Sequence, residues 1–331
     1  MKLGIYFDLR NSPAWPQDPA RLHAFTLELC EEAEHLGIDS IWVTEHHLFD
    51  DGYLTQPLVF AAAIAARTRR VRIGTGVMLA PLHRAVEIAE QATLVDLISD
   101  GRLELGLGAG YRVPEFELYE ADITKRYGTT DTTVRELRRL WDDEVITPLP
   151  VQERVPIWMG YGGPQGARRA GVLGEGLMSI NPDLVAPYRE GLDAGGHDPA
   201  SARMTGGFEA WITDDPDGDW PHVAKHVAYQ FDSYRRHMVE GTGRPIPRPV
   251  DPERLRQSAR TTTLSSFTLA TPDEAAALLA ERQQLVPVDS VYVFASIGGM
   301  DEEWTLRHVQ TLATRLAPLL QNLPSRAETT S

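Results

Sequence analysis

Residues 2–44 have the sequence KLGIYFDLRNSPAWPQDPARLHAFTLELCEEAEHLGIDSIWVT and contain one complete strand–helix–strand unit. The apolar run at 2–9 predicts a strand. Asp18-Pro19 predicts the start of a helix, because aspartate caps helix N-termini and proline favours the first turn. Apolar residues then recur at helical spacing, Gly37 ends that pattern, and 40–44 predict a second buried strand. Such units are typical of a parallel sheet covered by helices.

The same alternation repeats along the chain. Further strands are predicted, each separated from the next by a helical pattern, at 71–77, 102–107, 156–160, 176–180, 204–212 and 290–294. Eight strands and no change of composition favour a closed barrel over an open sheet. The sequence therefore predicts an α/β fold, a single (β/α)8 TIM barrel over residues 1–325, followed by a flexible tail at 326–331.

One segment interrupts this rhythm. Residues 213–263 contain a helical pattern around 223–238 and then a proline-rich stretch at 245–249. We predict an insertion after strand seven. Because barrel active sites lie at the carboxyl ends of the strands, we expect this insertion to form a lid over the mouth. The alternative is a surface excursion with no role at the site.

Composition and charge exclude several classes of partner. The chain has 331 residues, a formal net charge of −15 and one cysteine, Cys30. The acidic balance argues against nucleic acid and anionic membranes as partners. A single cysteine excludes an internal disulfide. The N-terminal apolar run reaches Asp8 too soon for a signal peptide, so we expect a cytoplasmic protein.

Glu45-His46-His47 follow predicted strand two, where a barrel places its chemistry. Histidine shuttles protons near neutral pH, and a neighbouring carboxylate can fix its tautomer. We predict His46, His47 and Glu45 as the catalytic residues, with His46 moving the proton and the other two orienting it. The alternative is a hydrogen-bonded packing pair.

Glycine-rich segments follow strands three and four. Glycines there would let a planar ligand approach the backbone, which gives a set of candidate cofactor-binding residues: Gly76, Val77, Met78, Ala109, Gly110 and Tyr111. The second segment is not a dinucleotide fingerprint, because Tyr111 occupies the last glycine position and no helix is predicted to open there. A strand end with a tight exit is the alternative at both places.

A third glycine-rich segment leads from strand five into a helix. Free amides at a helix N-terminus, together with the helix dipole, form a site for phosphate. We predict phosphate binding here, with the candidate residues Gly160, Tyr161, Gly162, Gly163, Gly166 and Arg168. An ordinary glycine-rich turn is the alternative.

Two further patterns are not interpreted as sites. His222 and His226 lie one helical turn apart, but without a third ligand we interpret them as a solvated helix face. The acidic run at 214–219 lacks the later glutamate of a calcium loop, and we interpret it as a turn. No metal site is predicted.

In their order and spacing these motifs resemble bacterial luciferase and the luciferase-like monooxygenases, over nearly the whole chain. The segments that carry the resemblance are 42–49, 74–81, 96–102, 108–110, 156–174 and 270–272. The resemblance implies a flavin across the barrel mouth, with His46 near the reactive ring. It also implies a cis peptide bond between Gly76 and Val77, and the flavin phosphate at the turn of 162–166. The chain departs from luciferase at Ala109, which replaces an arginine, while Arg112 lies three residues on.

The function that the resemblance implies is oxygenation of a small organic substrate with dioxygen and reduced FMN, which a separate flavin reductase supplies. Family relatives often form homodimers. The motifs leave open a hydride-transfer enzyme that uses a reduced deazaflavin, and also a non-catalytic flavin-binding subunit. A barrel hydrolase that uses Glu45 would need no flavin. Tyr6, Phe7 and Asp8 are additional pocket candidates.

Overall fold

Parallel strands close into a barrel in the computed structural model, which describes residues 1–259 and 267–323. The strands are β1 (Lys2–Phe7), β2 (Ser40–Val43), β3 (Arg72–Thr75), β4 (Met78–Leu79), β5 (Leu103–Gly108), β6 (Ile157–Met159), β7 (Gly176–Met178), β8 (Met204–Gly207), β9 (Ala210–Ile212), β10 (Thr268–Ala270) and β11 (Val288–Phe294). The main sheet has the order β3-β2-β1-β11-β8-β7-β6-β5-β4, and the pairing of β3 with β5 closes it. The predicted TIM barrel is confirmed.

Helices surround the barrel. They are α1 (Pro19–His35), α2 (Pro57–Arg67), α3 (Ala85–Ser99), α4 (Val113–Leu118), α5 (Arg126–Asp142), α6 (Gly163–Val172), α7 (Val185–Ala194), α8 (Pro216–Val239), α9 (Pro252–Ala259), α10 (Pro272–Leu285), α11 (Glu302–Thr311) and α12 (Ala317–Gln321), with a π-helical turn at Leu312–Leu316. A continuous apolar core fills the space between strands and helices. None of the helices in the described residues is long and apolar enough to cross a bilayer.

The first strand–helix–strand unit forms as its sequence predicts. The Asp18 carboxylate accepts a hydrogen bond from the backbone N–H of Arg21 at 2.8 Å, which caps α1. β1 and β2 then pair in parallel. Inside the barrel, a Cβ on Gly74 would lie 2.2 Å from the Trp42 ring, so only glycine leaves room for that indole.

The predicted bounds of strand seven are wrong. The prediction of one strand over 204–212 fails at Phe208 and Glu209, where the chain changes hydrogen-bonding partner. The N–H of Phe208 still donates to the Tyr292 carbonyl of β11 at 2.8 Å, whereas the Glu209 carbonyl accepts from Thr268 N–H at 2.8 Å. β9 therefore leaves the barrel and pairs with β10 in a separate two-stranded parallel sheet.

α8 and α9 lie between β9 and β10 and cover a smaller apolar cluster that includes Trp211, Trp220, Val223, Val227, Leu269 and Ile297. The acidic run is the beginning of α8 and not a turn, because Asp215 caps this helix by accepting a hydrogen bond from Gly218 N–H at 2.9 Å. Residues 260–263 of the predicted insertion and the predicted tail at 326–331 lie outside the described residues.

The interpretation of His222 and His226 as a solvated face is also wrong, because both rings are packed. His226 is buried and its Nδ1 lies 3.1 Å from the Gly298 carbonyl oxygen, while His222 stacks on Trp304 with ring centroids 3.8 Å apart. Burial lowers the pKa of His226 to about 4. Across 1–259 and 267–323, no group of His, Cys, Asp and Glu side chains is arranged to hold a metal ion.

Candidate active site

His46 lies directly after β2 and is almost fully buried. Its Nδ1 lies 2.8 Å from Glu115 Oε1, and its Nε2 lies 3.3 Å from the Tyr111 hydroxyl. A carboxylate only accepts hydrogen bonds, so the Glu115 contact places the ring proton on Nδ1. The Nε2 lone pair is then available to accept a proton, next to Tyr111.

Glu115 is a functional candidate that sequence reasoning missed. It is fully buried on α4, and its Oε1 also accepts a hydrogen bond from the backbone N–H of His47 at 2.9 Å. No helix was expected after Tyr111, yet the short helix α4 carries this carboxylate to within hydrogen-bonding distance of His46. A proline at the first turn and an acidic residue after it were the available signal.

Glu45 and His47 form a second network beside His46. Glu45 Oε1 lies 2.8 Å from His47 Nε2 and 2.6 Å from His83 Nε2, and Glu45 Oε2 accepts from Leu79 N–H at 2.6 Å. Burial alone would raise the pKa of Glu45, but the hydrogen bonds from His47, His83 and Leu79 outweigh it and lower that pKa. Glu45 therefore ties the end of β2 to the β3–α3 connection, and Glu115, rather than Glu45, holds His46.

A cavity of about 550 Å³ opens at the carboxyl ends of the strands. Its lining includes most of the predicted site residues: Glu45, His46, Gly76, Val77, Ala109, Gly110, Tyr111, Gly160 and Gly162. The remaining predicted residues lie outside this lining: His47, Met78, Tyr161, Gly163, Gly166 and Arg168. Tyr6, an additional pocket candidate, also lines the cavity. Residues that were not predicted as site residues complete the wall: Thr44, Tyr53, Leu79, Gly108, Tyr127, Glu209, Gln230, Phe231, Tyr234, Arg235 and Met238.

The cavity floor is built on Val77. The peptide bond between Gly76 and Val77 is cis, as the resemblance implied. A Cβ at Gly108 or at Gly160 would lie 2.5 Å from a Val77 methyl group. These two glycines therefore make room for the valine, although Gly160 was predicted as part of the phosphate site. At Gly162 a Cβ would meet no atom within 4 Å, so that glycine faces open space.

One end of the cavity lies at the start of α6. Gly162 occupies the N-cap position without a side-chain cap, so the first amides of this helix have no side-chain acceptor. Gly163 has φ +71°, a conformation that favours glycine. Gly166 packs on Tyr161, whose hydroxyl donates to Asp131 Oδ1 at 2.7 Å.

The arginines expected near this end are engaged elsewhere. Arg168 pairs with Glu190 and lines a separate depression beside Arg135 and Gln165, which corrects its predicted place in the phosphate site. Arg112 is buried, donates to the His47 carbonyl and pairs with Glu240 at 2.5 Å. α8 supplies a different cation to the wall, Arg235.

Tyrosine hydroxyls connect α8 with the barrel mouth. The Tyr53 hydroxyl lies 2.9 Å from that of Tyr234 on α8 and 3.5 Å from that of Tyr6 on β1. Burial raises the pKa of Tyr6 and Tyr53 well above the usual value, so both remain protonated at neutral pH.

A buried charge network fixes the same helix. Arg10 pairs with Asp8 at 3.2 Å and with Asp51 at 3.0 Å, and its guanidinium lies 4.2 Å from the centre of the Tyr234 ring. Asp51 also accepts from the Tyr229 hydroxyl at 3.0 Å. Burial raises the pKa of Asp8 to about 6, although Arg10 opposes the shift. Asp8 thus anchors this network, and Phe7 belongs to the apolar core.

A larger chamber of about 780 Å³ adjoins the first and shares several lining residues with it: Tyr6, Gly76, Glu209, Phe231 and Tyr234. The rest of its wall comes from the ends of β7, β8 and β11 and from Arg282 on α10. The two chambers therefore adjoin at the barrel mouth and share part of their walls.

The family model for luciferase-like monooxygenases matches residues 1–288. The chain belongs to the luciferase-like monooxygenase family. Its resemblance to that family, stated from the motifs, is thereby confirmed. Monooxygenases and F420-dependent dehydrogenases both occur among the similar proteins of this family.

The matched segments of individual relatives are partial. The 4-hydroxyprotoasukamycin monooxygenase of Streptomyces nodosus is 41% identical over 32% of this chain and 29% of its own length. The oxygenase component of a flavin-dependent trigonelline monooxygenase from Acinetobacter baylyi is 35% identical over 30% of this chain and 28% of its own length. An F420-dependent glucose-6-phosphate dehydrogenase from Amycolatopsis mediterranei is 30% identical over 51% of this chain and 59% of its own length. The matches to these curated relatives thus span less than two thirds of each.

A solved structure supports the fold over the full length. The monooxygenase RslO1 from Streptomyces bottropensis superimposes with a TM-score of 0.81 at 24% identity, covering 96% of this chain and 99% of its own. At that identity the likeness concerns the barrel architecture.

Proposed function

We propose that this luciferase-like protein is a flavin-dependent monooxygenase that uses reduced FMN and dioxygen to oxygenate a small organic substrate. The observation that carries the proposal is the position of His46, which Glu115 holds at the wall of a deep cavity with Nε2 available beside Tyr111. A positioned histidine of this kind is suited to proton transfer near neutral pH.

The residues of the cavity fit FMN. The volume of the cavity, about 550 Å³, lies within the range of cofactor pockets. The uncapped start of α6, which the cavity reaches at Gly162, would hold the phosphate, since helix N-termini bind anions without requiring an arginine. The ring system would lie on the floor made by Gly76 and Val77. Bound reduced FMN supplies the electrons that activate dioxygen.

The protein's own groups then have separate tasks. His46 Nε2 would hold or accept a proton at the wall of the cavity, while Glu115 keeps the opposite ring nitrogen protonated. Oxygen chemistry on a flavin requires exclusion of water. We assign that task to the lid within 213–263, because α8 contributes Phe231, Tyr234 and Met238 to the wall.

A specific comparison favours a second candidate, hydride transfer with the deazaflavin F420. The F420-dependent dehydrogenase from Amycolatopsis mediterranei matches a larger share of this chain than either monooxygenase does. Both functions would use the same barrel mouth, so the choice rests on the cofactor.

Cofactor titration tests the proposal. We expect FMN to bind the purified full chain with a shift of its visible spectrum, and F420 to bind more weakly. Tight binding of F420 alone would transfer the assignment to the second candidate. Binding of neither cofactor would leave a barrel enzyme without a flavin.

A histidine variant tests the site. We expect His46→Ala to lower turnover with reduced FMN by about 10²–10⁴-fold, the usual contribution of a positioned acid–base group. His35→Ala, at an exposed histidine on α1, serves as the matched control and should keep wild-type turnover. Unchanged turnover in His46→Ala would remove His46 from the mechanism.

Two partners belong to the proposal. A separate flavin reductase would supply reduced FMN, an arrangement that the "oxygenase component" designation of the Acinetobacter baylyi relative supports. A second copy of the chain would form a homodimer. Exposed apolar side chains on the neighbouring helices α2 and α3 favour this partner: Val59, Leu94, Leu97 and Ile98.

A further inference from the structure

Glu209 stands out among the groups that the proposed mechanism does not use. It follows β8 at the point where the chain leaves the barrel, and it lines both chambers of the cavity. Within 1–259 and 267–323, no side chain or backbone group makes a hydrogen bond or ion pair to its carboxylate. Glu209 is exposed where it lines the cavity, so its carboxylate is free to accept a hydrogen bond from a bound molecule.

The backbone holds Glu209 in place. On one side Phe208 N–H donates to Tyr292 of β11, and on the other the Glu209 carbonyl accepts from Thr268 of β10, both at 2.8 Å. The residue is therefore pinned between the barrel and the small sheet. The side chain is exposed to solvent, and desolvation by the protein atoms around it raises its pKa to about 7.

Six aromatic side chains lie in the walls of the chamber that Glu209 lines. Shared or adjoining lining residues are Tyr6, Phe208, Phe231, Tyr234, Tyr292 and Phe294. The charged and titratable groups that line the two chambers from the other elements are as follows: Arg282 on α10, Arg235 on α8, Glu45 and His46 after β2, and the tyrosines Tyr6, Tyr53, Tyr111, Tyr127, Tyr234 and Tyr292. Neither arginine lies within 4 Å of the Glu209 carboxylate.

We infer that Glu209 is a specificity-determining residue and that the substrate is a ring-bearing molecule which donates an O–H or N–H hydrogen bond to this carboxylate. The aromatic walls hold the apolar body, and the donor supplies the partner that the protein withholds. This inference rests on the proposed function, since it names the substrate class for the same cavity.

The affinity of a hydrogen-bond donor for Glu209 should depend on pH in a defined direction. The carboxylate form of Glu209 accepts a charge-assisted hydrogen bond, which is stronger than a bond to the protonated acid. Because the pKa of Glu209 is about 7, the carboxylate fraction grows as the pH rises from 6 to 8. Affinity for a donor should therefore rise over this interval, and affinity for a molecule of equal size without a donor should not.

Two matched probes, para-ethylphenol and its methyl ether para-ethylanisole, test this in the full-length protein by calorimetric titration, with and without FMN. At pH 8 we expect the phenol to bind about tenfold more tightly than the ether. At pH 6 this preference should shrink. In Glu209→Gln the preference should be small and equal at both pH values, while Glu190→Gln, at an exposed glutamate outside the cavity, should behave as wild type.

Equal responses to the two probes at pH 8, including no response to either, would overturn the inference. An undiminished preference in Glu209→Gln would do the same. If the variant folds poorly, the pH dependence of the wild-type protein still tests the inference. FMN titration of the wild-type protein distinguishes failure of the proposed function from failure of the inference about Glu209. If FMN does not bind, the proposed function is contradicted. If FMN binds but the protein shows no preference for the hydrogen-bond donor, only the role of Glu209 is contradicted.

Discussion

At the scale of single residues, the site depends on which carboxylate serves which histidine. Glu45 is adjacent to His46 in sequence, yet its hydrogen bonds go to His47 and His83. Glu115, far along the chain, supplies the bond to His46. Adjacent residues at a strand end point in different directions, so proximity in sequence does not identify the orienting group.

Replacing Glu115 tests its role as a positioning residue. In Glu115→Ala, His46 Nδ1 and the His47 N–H both lose their acceptor, and we expect kcat to fall by at least about tenfold while KM changes little. Glu115→Gln keeps a carbonyl oxygen at the same place and should recover much of the rate. Steady-state kinetics measure kcat and KM, and circular dichroism shows whether a loss of kcat comes from misfolding. Equal losses of kcat in the alanine and glutamine variants, or a change confined to KM, would argue against it.

At the scale of elements, the sequence identifies those whose signals are local. Asp18-Pro19 caps the start of α1 as predicted, and Thr271 forms a capping box with Glu274 at the start of α10. The break after β8 was not predictable, because it depends on the N–H of Thr268, in a distant strand, donating a hydrogen bond to the Glu209 carbonyl. For the same reason the residues of α8 were missed: their place in the cavity wall comes from tertiary contacts.

α8 provides an element-scale prediction. Tyr234→Phe removes the hydroxyl that lies 2.9 Å from the Tyr53 hydroxyl, a largely buried bond worth about 1 kcal/mol. We expect backbone amides in the second half of α8 to exchange hydrogen about fivefold faster, with the barrel strands unaffected. Arg236→Ala removes only an exposed ion pair with Asp50 and should change exchange little. Mass-spectrometric hydrogen exchange measures both, and equal effects of the two variants would contradict an anchoring role for Tyr234.

At the scale of the whole molecule, barrel closure was predictable because each strand and helix repeats the same local pattern around the circle. The common cavity follows from that closure, since all parallel strands end at one face. The distribution of charge across the molecule was not predictable in the same way. The sequence suggested a phosphate site with Arg168, and the structure places that side chain on a different surface.

The net charge of −15 leads to a prediction about cofactor binding. Because Arg168 and Arg169 of the α6 segment pair with Glu190 and Asp131, the anionic phosphate of FMN approaches an acidic molecule and would be held by the amides at the start of α6. Raising the ionic strength from 0.01 to 0.15 M shortens the Debye length from about 30 to about 8 Å, which screens the long-range repulsion more than the contact with the amides. The dissociation constant of FMN should therefore fall a few-fold over this interval. Riboflavin, which lacks the phosphate, serves as the control and should bind equally at both ionic strengths. If fluorescence titration instead shows FMN binding weakened by salt, a cation must contact the phosphate, and Arg235 on α8 would be the residue to replace first.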